Sequence, residues 1–267
     1  MTPAEFLLLG ITSQPRTQGG GEMDTQALLK QYLNGERDFH GKDLRGVKLE
    51  AQELSGIDFR GANLSGANLG GSNLSGTLFY NATLSGADFS RADLSGSDCR
   101  LANLTGANLI QANLDGVNLS GAILADAKLS QTELCRICWS TDNPGRAVLT
   151  RADFSGATFC GENLSGLDFS YANLKDADFS RANLSQANLS GADLSFAKLH
   201  RAVLNGANLT NADLRRADLS GATLGGACLV GTDLSAANLL DVDLYGVDLH
   251  RAKCWGTVMP EGDRDFP

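Results

Sequence analysis

Apolar positions recur every five residues over most of this chain. The stretch from Ala62 to Leu129 shows the unit well: a small residue, Asn or Asp, Leu or Phe, Ser or Thr, and often Gly. With the Leu or Phe taken as the centre, steps of five from Phe39 to Cys254 meet 44 centres, of which 40 are Leu or Phe. Ala stands two residues before 27 of these centres. One repetitive architecture must therefore explain most of the sequence.

A five-residue period fits neither a helix nor a straight strand. On a helix, residues five apart are offset by about 140°, so no apolar stripe forms. In a straight strand an odd period places successive leucines on opposite faces. A chain that bends once per repeat solves the problem, because the centre and the residue two before it then point inward together. The other three positions face water or form the corner, which suits Asn, Asp, Ser, Thr and Gly.

The aromatic centres indicate how many sides close one turn of the coil. Phe39, Phe59 and Phe79 are 20 residues apart, as are Phe159 and Phe179. Four sides of five residues therefore fit best, with similar side chains stacked from coil to coil. At the strand spacing of about 4.8 Å, the 44 centres make about 11 coils and a rod roughly 50 Å long. The sequence predicts an all-β solenoid with a filled core.

The recurring segments ANLSG, ADLSG and ANLTG give the chain a resemblance to the pentapeptide-repeat family. The resemblance covers most of the chain and implies a right-handed quadrilateral β-helix, in agreement with the four sides inferred above. It says little about activity, because members of the family share architecture more than function. The segment LLKQYLNGERDF also resembles the lead-in of cyanobacterial members.

The pattern divides the chain into coils and flanking segments. We expect a disordered segment over 1–22, a capping helix within 23–36, coils over 37–134 and 149–254, an interrupting loop over 135–148, and a cap or tail over 255–267. Asp24 is a candidate helix N-cap, and Asn34 and Gly35 are candidate terminators. The apolar face that would cover the first coil consists of Leu28, Leu29, Tyr32 and Leu33.

The repeat breaks once, in the segment CRICWSTDNPGRAV from Cys135 to Val148. It puts Trp139 and Pro144 at centre positions, and Pro cannot donate to a β-ladder. Leu149 resumes the five-residue frame, and the later phenylalanines keep the 20-residue phase. We interpret the segment as a loop pushed out of one coil. Its individual residues make it a candidate protein-docking site, formed by Arg136, Trp139, Asp142, Asn143 and Arg146. The alternative is an accidental insertion with Trp139 folded back over a coil edge.

The break also contains a CxxC motif, Cys135 and Cys138. A redox CxxC normally lies at a helix N-terminus, which lowers the thiol pKa, and no helix signal follows here. A zinc site would need two more ligands, and only Cys160 is near in sequence. A redox pair stays open as a weaker hypothesis, and ordinary thiols are the preferred reading.

The formal net charge is −9, which argues against direct binding of nucleic acid or an anionic membrane. Counting in steps of 20 places acids on one side of the coil: Glu53, Asp93, Glu133, Asp153, Asp193, Asp213 and Asp233. Of these, Asp153, Asp193, Asp213 and Asp233 form a candidate acidic stripe. The opposite side carries Asn63, Asn103, Asn163 and Asn183. Some relatives bind type II topoisomerases as DNA mimics, but a duplex of about 50 Å carries about 30 phosphate charges, far more than this chain.

Catalysis is not expected. The three histidines, His40, His200 and His250, occupy the slot after a centre that Ser usually fills. No Gly-rich phosphate loop is present, and a filled rod offers no deep pocket. The sequence therefore predicts a cytoplasmic, non-catalytic scaffold without a cofactor or metal, a monomer or weak dimer, that binds a protein partner in a regulatory role. The alternative is an acidic rod that binds a topoisomerase such as DNA gyrase.

Overall fold

A single winding coil forms the body of the molecule. The computed structural model describes residues 23–141, 145–244 and 246–260, and for residues 140, 141, 145 and 146 it describes the backbone. The expected disorder of residues 1–22 and the tail beyond residue 260 lie outside the described residues. Helix α1 spans Thr25–Leu33, strand β1 spans Ser140–Thr141 and strand β2 spans Gly145–Arg146. The remaining β structure of the described chain consists of isolated parallel bridges.

The bridges join residues 20 apart, which confirms four sides of five residues. Asp38 bridges Asp58, and Asp58 bridges Leu78. Around each bridge the hydrogen bonds run along the rod: the Phe39 N–H donates to Asp58 O at 2.8 Å, and the Asp58 N–H donates to Arg37 O at 2.8 Å. Backbone groups that would otherwise be orphaned in the wall are thereby satisfied by the next coil.

Each corner is a four-residue turn that begins at the centre. The Ala62 N–H donates to Phe59 O at 3.0 Å, and Gly61 between them has φ +62°. Asn and Asp support the turns from outside, since the Ser65 N–H donates to Asn63 Oδ1 at 3.1 Å. Glycine and polar residues thus recur because the corner needs a left-handed backbone and a local acceptor.

The core is the stack of centres and the small residues two before them. Leu64, Ala62, Leu184 and Ala182 are all 0% exposed. Phenylalanine centres stack along the axis, as for Phe159 and Phe179, whose ring centroids are 4.7 Å apart. Burial of this Leu, Phe and Ala column is the main stabilising contribution.

Helix α1 covers the first coil. The Ala27 N–H donates to the Asp24 carboxylate at 2.8 Å, and Asn34 is the C-cap. Leu28 is fully buried, and Leu29 and Tyr32 pack against the core. The expectation for Leu33 is wrong: it is 66% exposed, because the covered face of this short helix ends one turn earlier. Within the described residues, no helix is both long and apolar enough to cross a bilayer.

The break is shorter than the predicted 135–148 loop. Cys135–Trp139 continue the wall: the Leu119 N–H donates to Cys138 O at 2.8 Å, and Trp139 is a buried centre. Strands β1 and β2 then pair antiparallel, Ser140 with Arg146 and Thr141 with Gly145. The chain rejoins the wall at Val148, which bridges Ile123 across 25 residues instead of 20. One whole repeat therefore leaves the corner as a hairpin, and the five-residue frame survives.

This insertion shifts every later residue by one side, and three predictions about sides are wrong as a result. Phe159 follows Leu134 in its column, since Glu133 bridges Thr158, so it is not in the column of Phe79. The 20-residue phase is not kept across the break. The acids before and after the break belong to different sides, as do Asn103 and Asn163.

Candidate functional site

The hairpin corner is the largest departure from a smooth wall in the described chain. Its base is fixed by Trp139, which is 2% exposed and has its ring centroid 6.1 Å from that of Phe159. The Ala147 N–H donates to Trp139 O at 3.1 Å and closes the base of the hairpin. Trp139 is thus an anchor in the core, and its predicted role as an outward docking residue is wrong. It occupies a centre position, where side chains point inward.

The structure describes only some of the other predicted docking residues. Arg136 lies outside the core with 78% of its side chain exposed, and its Nε is 2.8 Å from Asp115 Oδ1. Its backbone N–H donates to Glu162 Oε1 at 2.6 Å. Arg146 lies in strand β2, and the structure places its backbone there. Asp142 and Asn143 lie outside the described residues.

One bridge between neighbouring coils is missing directly below the base of the hairpin. Within the described residues, no bridge joins Asn113 to Glu133, although Asp93 bridges Asn113 in the coil before. An open cleft of about 350 Å³ lies here, with a polar rim that includes Asp115, Glu133 and Arg136. The gap is confined to the start of the segment that leads into the hairpin, because Cys138, further along it, bridges Asn118 on the coil below.

Two apolar residues face outward beside the hairpin, and sequence reasoning missed them. Ile123 is 40% exposed, and its bridge partner Val148 is half-buried. They continue the column of Asn63, Thr83 and Asn103, in which polar residues are usual. Each residue could have been noticed in the sequence, because Ile and Val stand where the repeat usually has Asn or Asp. Their contact with each other could not, because it exists only across the 25-residue step of the ladder. Together they form an apolar pair on the wall next to the hairpin.

Two exposed aromatic residues stand at corners with a left-handed backbone. Tyr171 has φ +59° and is 69% exposed, and Phe196 has φ +60° and is 43% exposed. The Phe196 ring has Lys175 Nζ at 5.7 Å and Arg216 Cζ at 5.4 Å from its centroid. A bulky residue in this conformation costs roughly 1–2 kcal/mol. Tyr171 stands at the corner that follows the side of Val148, one coil further on, and so lies at the opposite end of that side from the hairpin.

The candidate acidic stripe is one column, but it is not a continuous acidic surface. Asp153, Asp193, Asp213 and Asp233 share a side with Asn173 between the first two, and this side continues downward to Lys128. Arg215 NH2 is 2.6 Å from the Asp213 carboxylate, and its hydrogen bonds lower the pKa of that carboxyl. Lys253 Nζ is 3.7 Å from Asp233. Glu53, Asp93 and Glu133 belong to another side, because the insertion rotates the later coils.

Cys135 and Cys138 do not face one another. Cys138 Sγ lies 3.3 Å from Ser120 Oγ on the coil below, whereas Cys135 Sγ lies 3.9 Å from Thr158 O on the coil above. Burial raises the pKa of the Cys135 thiol, and Glu133 and Glu162 raise it further. A CxxC redox pair needs its two thiols to face one another, and here each sulfur contacts a different neighbouring coil. The geometry therefore contradicts the proposed Cys135–Cys138 redox pair. Across the described residues, no group of three or more His, Cys, Asp or Glu is placed to hold a metal ion.

One histidine contacts a serine on the wall. His200 Nδ1 is 2.9 Å from Ser220 Oγ, one coil apart. The contact lies on the outer face of a filled rod and not in a cavity that would enclose a substrate. We therefore assign it a structural role in the side-chain ladder between coils.

Comparison with known proteins places the sequence among repeat proteins. The family model described as pentapeptide repeats matches residues 43–79, 62–98, 72–109, 102–137, 147–186, 187–226 and 227–259. The matched ranges leave out residues 138–146, where the hairpin interrupts the coil. A comparison with curated proteins found no match.

Several solved structures are similar to the chain. HetL, a pentapeptide repeat protein involved in heterocyst differentiation regulation from the cyanobacterium Nostoc sp. strain PCC 7120, is 34% identical over 90% of this chain and 98% of its own, with TM-score 0.34. QnrB1, a plasmid-mediated fluoroquinolone resistance protein, is 19% identical over 82% of this chain and 90% of its own, with TM-score 0.32. Rfr23 from the cyanobacterium Cyanothece 51142 is 26% identical over 55% of this chain and 87% of its own, with TM-score 0.16.

Proposed function

The chain belongs to the pentapeptide repeat family, whose fold is a right-handed quadrilateral β-helix, and from that premise we propose that it is a non-catalytic cytoplasmic scaffold that docks another protein at the hairpin corner. A filled core leaves the outer walls as the surface available for recognition. Repeat proteins commonly place recognition elements in insertions that leave the regular wall. We assign the docking event a regulatory role.

The observation that carries the proposal is the position of the hairpin beside the Ile123–Val148 pair. Trp139 anchors the hairpin base in the core, and strands β1 and β2 pair with each other beyond it. A preorganised element loses less conformational entropy on binding than a free loop. The apolar pair supplies surface that gains free energy when a partner covers it, and Arg136 adds a polar contact at the edge.

The test is a comparison of captured proteins between the intact chain and surface variants. Ile123→Asn together with Val148→Asn introduces the residue that the repeat uses in this column, so the fold should be kept. We expect the partner captured by the intact chain to be lost or reduced at least about tenfold, with little dependence on salt because the contact is mainly apolar.

The matched control is Leu240→Asn. Leu240 is 38% exposed, close to the 40% of Ile123, and it lies on the opposite side of the rod. It should capture the same proteins as the intact chain. If the Ile123 and Val148 variant captures them equally well, the hairpin corner is not the docking site.

The acidic-rod alternative has one observation in its favour, the shared column of Asp153, Asp193, Asp213 and Asp233. The ion pairs of Asp213 and Asp233 reduce the negative charge that this column presents. The alternative expects inhibition of DNA gyrase supercoiling, lost when these four residues become Asn and weakened steeply by salt. Supercoiling that proceeds unchanged at about micromolar protein would discard it, since that is a usual affinity for specific binding.

A further inference from the structure

The insertion brings two cysteines into the same position on adjacent coils. Glu133 bridges Thr158, and the Leu134 N–H donates to Thr158 O at 2.9 Å. Two residues beyond this bridge, on the two coils, stand Cys135 and Cys160. If the extruded repeat had stayed in the wall, the residue above Cys135 would lie 20 positions further on, at Ser155. The pairing is therefore a product of the 25-residue step.

Contacts at the two thiols agree with this register. Cys135 Sγ lies 3.9 Å from Thr158 O, and the backbone N–H of Cys160 is near enough to lower the pKa of the Cys135 thiol in part. Parallel coils are about 4.8 Å apart, within the Cα separation of roughly 4.4–6.8 Å that disulfides use. Cys160 is exposed, Cys135 is half-buried, and both are free thiols. The separation of neighbouring coils is therefore compatible with a disulfide between these two positions.

We propose that Cys135 and Cys160 form a reversible disulfide site, closed by a peroxide and opened by a thiol reductant. The exposed Cys160 thiolate attacks one peroxide oxygen, which breaks the O–O bond, gives a sulfenic acid and releases one water when hydrogen peroxide is the oxidant. The Cys135 thiolate then attacks the Cys160 sulfur and releases the second water. Two electrons pass from the two sulfurs to the peroxide, so two thiols and one hydrogen peroxide give one disulfide and two waters.

The environment makes the reaction slow near neutral pH. Burial and a hydrogen bond to Asp178 raise the pKa of the Cys160 thiol to about 11, and burial raises that of Cys135. Because the thiolate is the nucleophile, the rate of the first step should rise about tenfold per pH unit while the pH stays well below the pKa of Cys160.

The site lies beside the gap in the ladder. The segment from Glu133 to Trp139 leads into the hairpin; within the described residues its Glu133 has no bridge to the coil below, whereas its Cys138 bridges Asn118. A disulfide would tie this segment covalently to the coil above, with the hairpin inside the closed loop from Cys135 to Cys160. Oxidation would then restrict the base of the hairpin. The disulfide itself does not depend on the proposed docking function, since its formation is measured without a partner.

Tryptic peptides distinguish the possible pairings in the full-length protein. Cleavage after Lys128, Arg136, Arg146, Arg151 and Lys175 places Cys135 in peptide 129–136, Cys138 in 137–146 and Cys160 in 152–175. The monomeric protein is treated with hydrogen peroxide, alkylated, digested without reductant and analysed by mass spectrometry. We expect peptide 129–136 joined to peptide 152–175, and both released by dithiothreitol.

Variants make the result decisive. Cys138→Ser should keep the linked pair, whereas Cys135→Ser and Cys160→Ser should each abolish it. A link between peptides 129–136 and 137–146, a link from 137–146 to 152–175, or oxidation of Cys160 to sulfinic acid without any link would overturn the proposal. Linkage that is found only between two copies of the chain would also overturn it.

Discussion

Ile123 forms a parallel bridge with Val148, 25 residues further along the chain, whereas Asn103 bridges Ile123 across 20. The difference of five is one complete repeat, extruded at a single corner as the β1–β2 hairpin. Because the inserted length equals the period, inward positions stay inward on both sides of the break. Within the described residues, the insertion is accompanied by missing bridges next to the hairpin, between Asn113 and Glu133 and between Cys138 and Asn163.

Removal of Thr141–Gly145 should therefore restore an uninterrupted coil. The deletion joins Ser140 to Arg146 and gives the sequence WSRAVL, which matches the repeat FSRADL that begins at Phe89. We expect a folded protein whose free energy of unfolding stays within about 1 kcal/mol, since surface loops contribute little and loop closure costs change slowly with length. Circular dichroism and urea unfolding measure this.

Deletion of the four residues Thr141–Pro144 is the matched control. It leaves one residue too many for a corner and cannot keep Trp139 and Leu149 five apart. Its free energy of unfolding should fall by several kcal/mol, because either a core residue or a corner is lost. Equal stability of the two deletions would contradict a wall that depends on the five-residue frame.

The sequence was sufficient to predict which side chains point into the core, but not which residues lie above one another on neighbouring coils. The inward positions of Ala62 and Leu64 follow from the period alone, because each corner repeats the same turn. The side on which Phe159 lies depends on whether one repeat stays in the wall or leaves it. Pro144 indicated that the repeat is interrupted. An insertion of five residues keeps Leu or Phe at every fifth position, however, so counting in steps of five does not reveal that the later residues have moved to another side. The contacts of Ile123 with Val148, and of Cys135 with Cys160, were hidden for the same reason.

Trp139 should behave as a core residue in mutational tests. Trp139→Ala is expected to reduce the free energy of unfolding by about 3–5 kcal/mol through loss of a large buried side chain. Trp139→Leu should cost less, because Leu is the usual centre and the buried Nε1, which has no hydrogen-bond partner in the described chain, is removed. Urea unfolding measures both.

The control is the other tryptophan. Trp255 is 85% exposed, and Trp255→Ala should change the free energy of unfolding by about 0.5 kcal/mol or less. If Trp139→Ala were equally mild, Trp139 would not be the anchor of the hairpin base.

Gly191 and Tyr171 should be coupled. A Cβ at Gly191 would come within 2.7 Å of the Tyr171 ring, and Gly191 has φ +66°. Gly191→Ala should therefore cost more than Gly86→Ala, which has φ +64° and nothing within 4 Å of the added atom. We expect Gly86→Ala to cost about 1 kcal/mol from the left-handed backbone alone.

Tyr171→Ser should bring the cost of Gly191→Ala down to that value, as a double-mutant cycle in urea would measure. Costs that add independently would mean that the ring moves away freely.

The Asp58–Arg60 pair predicts a defined pH response. Arg60 NH2 is 2.6 Å from the Asp58 carboxylate, and its hydrogen bonds hold the pKa of Asp58 below the ordinary value. A carboxyl whose pKa is lower in the folded state contributes stability above its unfolded pKa of about 3.9, and this is lost as the pH falls through the folded pKa. Arg60→Ala removes the guanidinium without adding the hydroxyl donor that lowers the pKa of Asp178 beside Ser180, and it should raise the pKa of Asp58. A carbon-detected NMR titration follows each carboxyl. Asp98 is the control. Burial alone would raise its pKa, but hydrogen bonds from Arg100 lower it, and it should titrate as in the parent protein. An Asp58 titration that stays in place would show that the guanidinium is not the cause of its lowered pKa.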